Sequence, residues 1–179
     1  MSETARNRAQ AIAQKLGLEP HPEGGFYRET YVSQLTVAGR DVGLSDEKRA
    51  LATAIYYLLT PDTFSEMHRL DADEVWHHYQ GDPVEQLQLR DGEDRSGGED
   101  HGGVVRLGQD LDADERPQLV VPRGVWQGSR VLPGPHGYAL CGTTMSPAFS
   151  FDGYEAGKRS ELSARFPQHR ELIEALTRG

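Results

Sequence analysis

Between Phe26 and Thr143 the chain is cut into short apolar segments by turn-forming residues, and few of these segments are long enough to be a helix. The segments rich in β-branched and aromatic residues are Tyr27–Val37, Leu51–Leu59, Phe64–His68, Glu74–Tyr79, Val84–Leu89, Gly103–Leu107, Gln118–Val121, Val125–Leu132 and Tyr138–Thr143. Thr60-Pro61-Asp62 and Gly81-Asp82-Pro83 separate several of them, and the 20 Gly and 10 Pro suit a fold built on turns. Short strands at this spacing predict an all-β sandwich or barrel.

The ends read differently. Ala5, Ala9, Ile12, Ala13 and Leu16 recur at helical spacing, so residues 3–16 are expected to form a helix that Gly17 ends. A helical tail is expected over 158–178, with Leu172, Ile173 and Leu176 on one apolar face. Asp91–Gly103 is a polar, Gly-rich stretch that reads as a solvated hairpin loop, matching no spaced ligand pattern. No internal repeat or composition shift divides the 179 residues, so a single domain is expected, with the β region spanning about 26–152.

Charge and composition narrow the partners. The formal net charge of −9 disfavours nucleic acid and anionic membrane surfaces through long-range repulsion. No apolar run approaches the length of a membrane span, and MSETARNRAQ lacks a signal peptide's apolar core. The lone Cys141 cannot form an intrachain disulfide. A cytoplasmic location is the expectation.

Ligand-type side chains concentrate in FSEMHRLDADEVWHHYQGDP, residues 64–83. Alternation along a strand puts Glu66 and His68 on one face. It puts Glu74, Trp76 and His78 together on the next strand, with His77 and Tyr79 opposite. Imidazole and carboxylates converging across the intervening turn can bind a divalent metal or perform general acid–base work. The alternative is a polar patch at a strand end. In HPEGGFYRE, Gly24-Gly25 permits an unusual turn or a close approach, flanked by Glu23 and Arg28. Arg28 either holds an anionic ligand group at a pocket mouth or forms a structural ion pair. His21 is expected at the surface.

The order His68, Glu74, Gly81 resembles the first motif of the cupin superfamily, and Pro122-Arg123-Gly124-Val125-Trp126-Gln127 resembles the second. PEGGFYRETY (22–31) and SPAFSFDGYE (146–155) sharpen the likeness to one cupin family known as a domain of unknown function, similar in fold to the deoxysugar 3,5-epimerases. The resemblance covers about residues 12–178. It implies a double-stranded β-helix, or jelly-roll barrel, and a homodimer. Two usual cupin metal-ligand positions are changed: Glu66 and Gln127 stand where histidines are usual. A divalent metal, if bound, would have Glu66, His68, Glu74 and Gln127 as ligands, but none is obligatory for the expected chemistry.

The expected site is a barrel pocket for a small polar metabolite, lined by Glu66, His68, Glu74, His78 and Gln127. Trp76, Trp126 and Tyr79 would offer flat surfaces for a ring. One expectation is a sugar or nucleotide-sugar epimerase or isomerase, with His68 as base and Glu74 or Tyr79 as acid partner. The others are a non-catalytic ligand-binding or storage module and a metal-dependent enzyme with a Glu/His/Glu/Gln site.

Overall fold

The computed structural model describes residues 3–44, 48–90 and 102–178. The expected loop at Asp91–Gly103 falls almost wholly outside them. In chain order the elements are α1 (Glu3–Leu16), β1 (Glu19–Pro20), β2 (Phe26–Val32), β3 (Thr36–Ala38), β4 (Lys48–Ala50), β5 (Thr53–Leu59) and β6 (Phe64–Leu70). Then come β7 (Asp73–Gly81), β8 (Val84–Leu89), β9 (Gly102–Leu107), β10 (Gln118–Val121), β11 (Trp126–Val131), β12 (Ala139–Ser146), β13 (Tyr154–Ala156), α2 (Arg159–Arg165) and α3 (Arg170–Ala175).

Two antiparallel sheets form a jelly roll. One has the order β1-β2-β5-β12-β7-β10 and the other β13-β6-β11-β8-β9, with β3 and β4 as a separate two-stranded ribbon. The expected long strand from Tyr27 therefore splits. It leaves its sheet after Val32, and Ser33 turns the chain by donating its N–H to Ala52 O at 2.9 Å. Between the sheets Trp76, Tyr57, Leu59, Val121 and Cys141 form a closed core, each at most 2% exposed. The helices cover the outer faces. α1 lays Ala9, Ile12 and Ala13 over Leu58 and Tyr138. The expected tail helix is two short helices, α2 and α3, joined by a 3₁₀ turn at Pro167–His169, as a proline that cannot continue a helix requires. Their Leu162, Phe166, Ile173 and Leu176 cover Met67, Leu87, Leu89 and Trp126.

One irregularity decides which side chains face inward. β6 pairs with β11 as Gln127↔His68 and Ser129↔Ser65, so two residues, Glu66 and Met67, oppose the single Gly128. This β-bulge breaks the alternation. Ser65 and His68 are both buried, while Met67 joins the outer cluster under α3. Glu66 and His68 thus do not share a face in the way simple alternation predicts.

Candidate functional site

One end of the jelly roll opens into a cavity of about 310 Å³. Its carboxyl and imidazole groups come from four places: His21 and Glu23 in the turn before β2, Glu29 on β2, His68 on β6 and Glu74 on β7; Thr53 and Thr143 add hydroxyls. Aromatic rings make most of the remaining wall, with Trp76 and Tyr57 deep and Phe149 and Phe151 at the rim.

Glu23 arrives through the HPEGG turn. His21 N–H donates to Gly25 O and Gly24 N–H to His21 O, each at 3.0 Å, which closes the turn tightly. Gly24 has φ +114°, and a Cβ there would lie 2.1 Å from Phe64 O. Only glycine allows this backbone to press against β6. The approach lets Glu66 N–H donate to Glu23 O at 3.1 Å, and Tyr57 Oη donate to Gly24 O at 2.7 Å. It brings Glu23 Oε2 to 3.3 Å from His68 Nδ1.

His68 is 3% exposed. Its Nδ1 lies 2.7 Å from Glu66 O. A carbonyl can only accept, so Nδ1 carries the proton and the neutral ring keeps its lone pair on Nε2. Among the described residues Nε2 has no hydrogen-bond partner, and His68 lines the cavity. The Tyr154 ring stacks on the imidazole at 5.5 Å between centroids. Burial pushes the Glu23 carboxyl up to about 7, against the pull of His68; Glu74, Ser65 and Glu66 act more weakly. Burial, with His68 next, pulls His21 down to about 4. The Tyr154 phenol is pushed up to about 12, chiefly by burial and then by Glu23 and Glu66.

Glu74 forms the polar part of the inner wall. Its Oε2 accepts from Trp76 Nε1 at 3.0 Å and from Gln127 Nε2 at 2.7 Å. Trp76 Nε1 is shared with Gln127 Oε1 at 3.1 Å. Gln127 is 1% exposed and stands behind Glu74, next to Gln86 and Ser129 rather than in the cavity wall. It fixes the carboxylate.

Of the expected site residues, the structure gathers His68, Glu74 and Trp76 around the cavity and puts the others elsewhere. Glu66 sits at the bulge and binds the C-terminal segment, accepting from Arg178 N at 3.0 Å and facing Arg178 Nη1 at 3.5 Å. His78 is buried beyond the cavity, where Nε2 meets Asp82 O at 3.1 Å. Trp126 faces outward, because its neighbour Gln127 faces inward, and carries Arg69 over its ring at 4.6 Å. Tyr79 lies on the outer side of β7, 47% exposed, and its ring stacks with that of His77. Arg28 is no anion clamp at the mouth: its Nη1 donates to Leu16 O at 2.9 Å and so caps the C-terminal end of α1. His21, expected at the surface, lines the cavity, with its ring edge-on to Tyr27 at 4.6 Å and its Nδ1 accepting from Glu23 N at 3.1 Å. Glu23 and His21 are thus the site residues that alternation within strands does not find. The signal for them was the glycine pair directly after Glu23.

The four residues of the expected metal site do not fit a metal centre. Glu66 turns to Arg178, Gln127 Oε1 is taken by Trp76, and His68 Nδ1 is committed to Glu66 O. Among the described residues no group of three or more His, Cys, Asp or Glu is placed to hold a metal ion.

The sequence model of the cupin superfamily family DUF985 matches residues 10–157. The chain belongs to this cupin family. This cupin is 31% identical over 144 residues to the uncharacterized protein YML079W of Saccharomyces cerevisiae, covering 75% of this chain and 67% of that one. It is also similar to the solved structure of a hypothetical protein from Leishmania major, with 31% identity and a TM-score of 0.84 over 96% of this chain and 99% of that one. Protein SO0799 of Shewanella oneidensis is 35% identical with a TM-score of 0.77, over 95% of this cupin and 97% of its own chain. No described helix of this cupin is long and apolar enough to cross a membrane.

Proposed function

We propose that this cupin binds a small polar metabolite in its barrel cavity and moves a proton on it, with His68 Nε2 as the base. The observation that carries this reading is the Glu23–His68 pair: a buried carboxyl 3.3 Å behind an imidazole whose other nitrogen opens onto a cavity. A carboxylate at Nδ1 stabilises the imidazolium that forms when Nε2 takes a proton. The Tyr154 phenol, kept protonated by its surroundings, is the donor available to a developing oxyanion in the same wall.

The reaction class that suits one base and one neutral donor is epimerisation or isomerisation beside a carbonyl, on a sugar-like ring. His68 takes the proton from carbon, the electron pair moves to the carbonyl oxygen, and Tyr154 hydrogen-bonds the enolate until carbon is reprotonated. A volume near 310 Å³ is at the small end of ligand sites, which favours a single ring over a whole nucleotide-sugar. Glu23 takes the supporting role, Glu74 contacts ligand, and Tyr79 has no part.

The test is deuterium wash-in at the carbon beside the carbonyl, followed by mass spectrometry over a panel of monosaccharides in D₂O. The wild type should incorporate label into at least one sugar, and His68→Asn should abolish it while the fold is kept. Ligand binding with no wash-in across the panel would leave a binding module and sink the catalytic half of the proposal.

A further inference from the structure

The cavity's charge and wall chemistry say which ligands it accepts. Among the described residues no Lys or Arg lines it, while Glu23, Glu29 and Glu74 do. The nearby arginines are spent elsewhere. Arg49 lies against Asp71 at 2.8 Å, Arg178 donates to Pro22 O at 3.0 Å, and Arg28 donates to Leu16 O. A phosphate or carboxylate entering this cavity would meet three carboxyl side chains and no Lys or Arg, with only neutral donors such as Thr53, Thr143 and Tyr154 to receive it.

A cation meets the opposite. The negative π faces of Trp, Tyr and Phe attract organic ammonium groups, and Tyr27, Tyr57, Trp76, Phe149 and Tyr154 all present rings to the cavity. Glu74 is 7% exposed, and its Oε2 is fixed by Trp76 and Gln127. Its Oε1 has no hydrogen bond among the described residues and opens onto the cavity. That oxygen is an acceptor at the cavity wall, on a carboxylate held in place through its other oxygen, and left for a ligand. The chain's net charge of −9 adds a field that draws cations in.

We infer that the ligand of this cavity carries an amine, protonated when bound, whose ammonium group donates to Glu74 Oε1 between the aromatic walls. This names the substrate class for the site proposed above and rests on that cavity being a small-molecule site. An amino-substituted ring satisfies both: the ammonium anchors on Glu74 and another ring carbon faces His68. The choice is one of charge, because a full anion buried here would lose its hydration with no cationic side chain among the described lining residues to offset the loss.

Three probes of one shape and different charge test this: cyclohexylammonium, cyclohexanol and cyclohexanecarboxylate, titrated calorimetrically at pH 8 in phosphate buffer free of other amines. Cyclohexylammonium should bind at least about tenfold tighter than cyclohexanol, as a charge-assisted hydrogen bond implies. Cyclohexanecarboxylate should not bind measurably. Glu74→Gln, which keeps an acceptor for Trp76, should reduce the ammonium's affinity to that of the alcohol. Thermal shifts of the unaltered protein with the same probes give the ranking independently of any variant. Equal or tighter binding of the carboxylate or the alcohol would overturn the amine assignment and leave the cavity as a ligand site. No binding by any of the three would overturn both.

Discussion

Glu23 Oε2 and His68 Nδ1 stand 3.3 Å apart although one comes from a turn before the first long strand and the other from β6 in the second sheet. Neither residue could be positioned by its own element alone. Gly24 brings the turn onto Phe64 O, and the β6 bulge rotates His68 inward to meet it. The pair therefore reports on both local distortions, and its titration is the most direct handle on the site.

Stability should depend on pH through two groups of opposite sign. Glu23 is raised from 4.5 to about 7, so the stability linked to it is full below 4.5 and is lost as pH rises to 7. His21 is lowered from 6.5 to about 4, so its contribution is full above 6.5 and is lost as pH falls to 4. In the wild type the two largely cancel between pH 4.5 and 6.5. His21→Gln should expose the Glu23 slope, a loss on the order of 2–3 kcal/mol from pH 4.5 to 7. Glu23→Gln should expose the opposite slope. Urea denaturation from pH 4 to 8 reads this directly, and parallel curves for all three proteins would refute it.

Catalysis should rise with pH through about 7, where Glu23 ionises and can hold the His68 imidazolium. In a kcat/KM profile for whichever substrate the wash-in panel identifies, that inflection should disappear in Glu23→Gln. The plateau rate should drop by roughly 100-fold. An inflection near 7 that survives the substitution would assign the titration to another group.

Gln127 acts by fixing Glu74 and Trp76. Gln127→Leu removes a donor to the carboxylate and an acceptor for the indole, both buried. It should cost about 2 kcal/mol in denaturation experiments. It should also weaken cyclohexylammonium binding, because Glu74 loses its orientation. A stability change with unchanged binding would mean that Trp76 alone orients Glu74.

Gly24→Ala should be costly in two respects. A Cβ 2.1 Å from Phe64 O, on backbone at φ +114°, forces the turn away from β6 at a cost of about 2–4 kcal/mol. The displaced Glu23 should then lose its raised pKa and with it its share of the fall in stability between pH 4.5 and 7. A crystal structure of the variant with Glu23 still against His68 would contradict this account.

Arg28→Ala serves as the contrasting case. Arg28 caps α1 and lines no cavity. The substitution should lower stability by roughly 0.5–1 kcal/mol and leave probe affinities unchanged. A tenfold loss of affinity for any probe would return Arg28 to the site.

The strand pattern was legible in the sequence because alternation and turn residues are local properties. Glu74, Trp76 and His78 were grouped correctly, since β7 runs regularly over those residues. The family likeness pointed to the jelly roll and to the end of the barrel at which polar residues gather. Glu66 was misjudged because a bulge is invisible to period-two counting: the extra residue shows only against Gly128 on the partner strand. Trp126 and Gln127, both expected at the ligand, both lie outside the cavity wall for a related reason. Adjacent residues on a strand face opposite ways, and only the packing of α3 shows which side is outside. Glu23 and His21 belong to a turn, and a turn's destination depends on contacts distant in sequence.

The bulge at Glu66 and Met67 also sets an order of assembly. Met67 N–H donates to Leu176 O at 2.8 Å, and Gly157 N–H donates to Met67 O at 2.7 Å. Glu66 in turn accepts from the Arg178 backbone. The backbone distortion that aims His68 is stitched down by residues translated about a hundred positions later. A nascent chain still holding that segment in the ribosome has its strands but not this fastening. Its Met67 amide should exchange with solvent as fast as a loop amide until Leu176 emerges. The His68 wall of the cavity is thus the part of the barrel completed last.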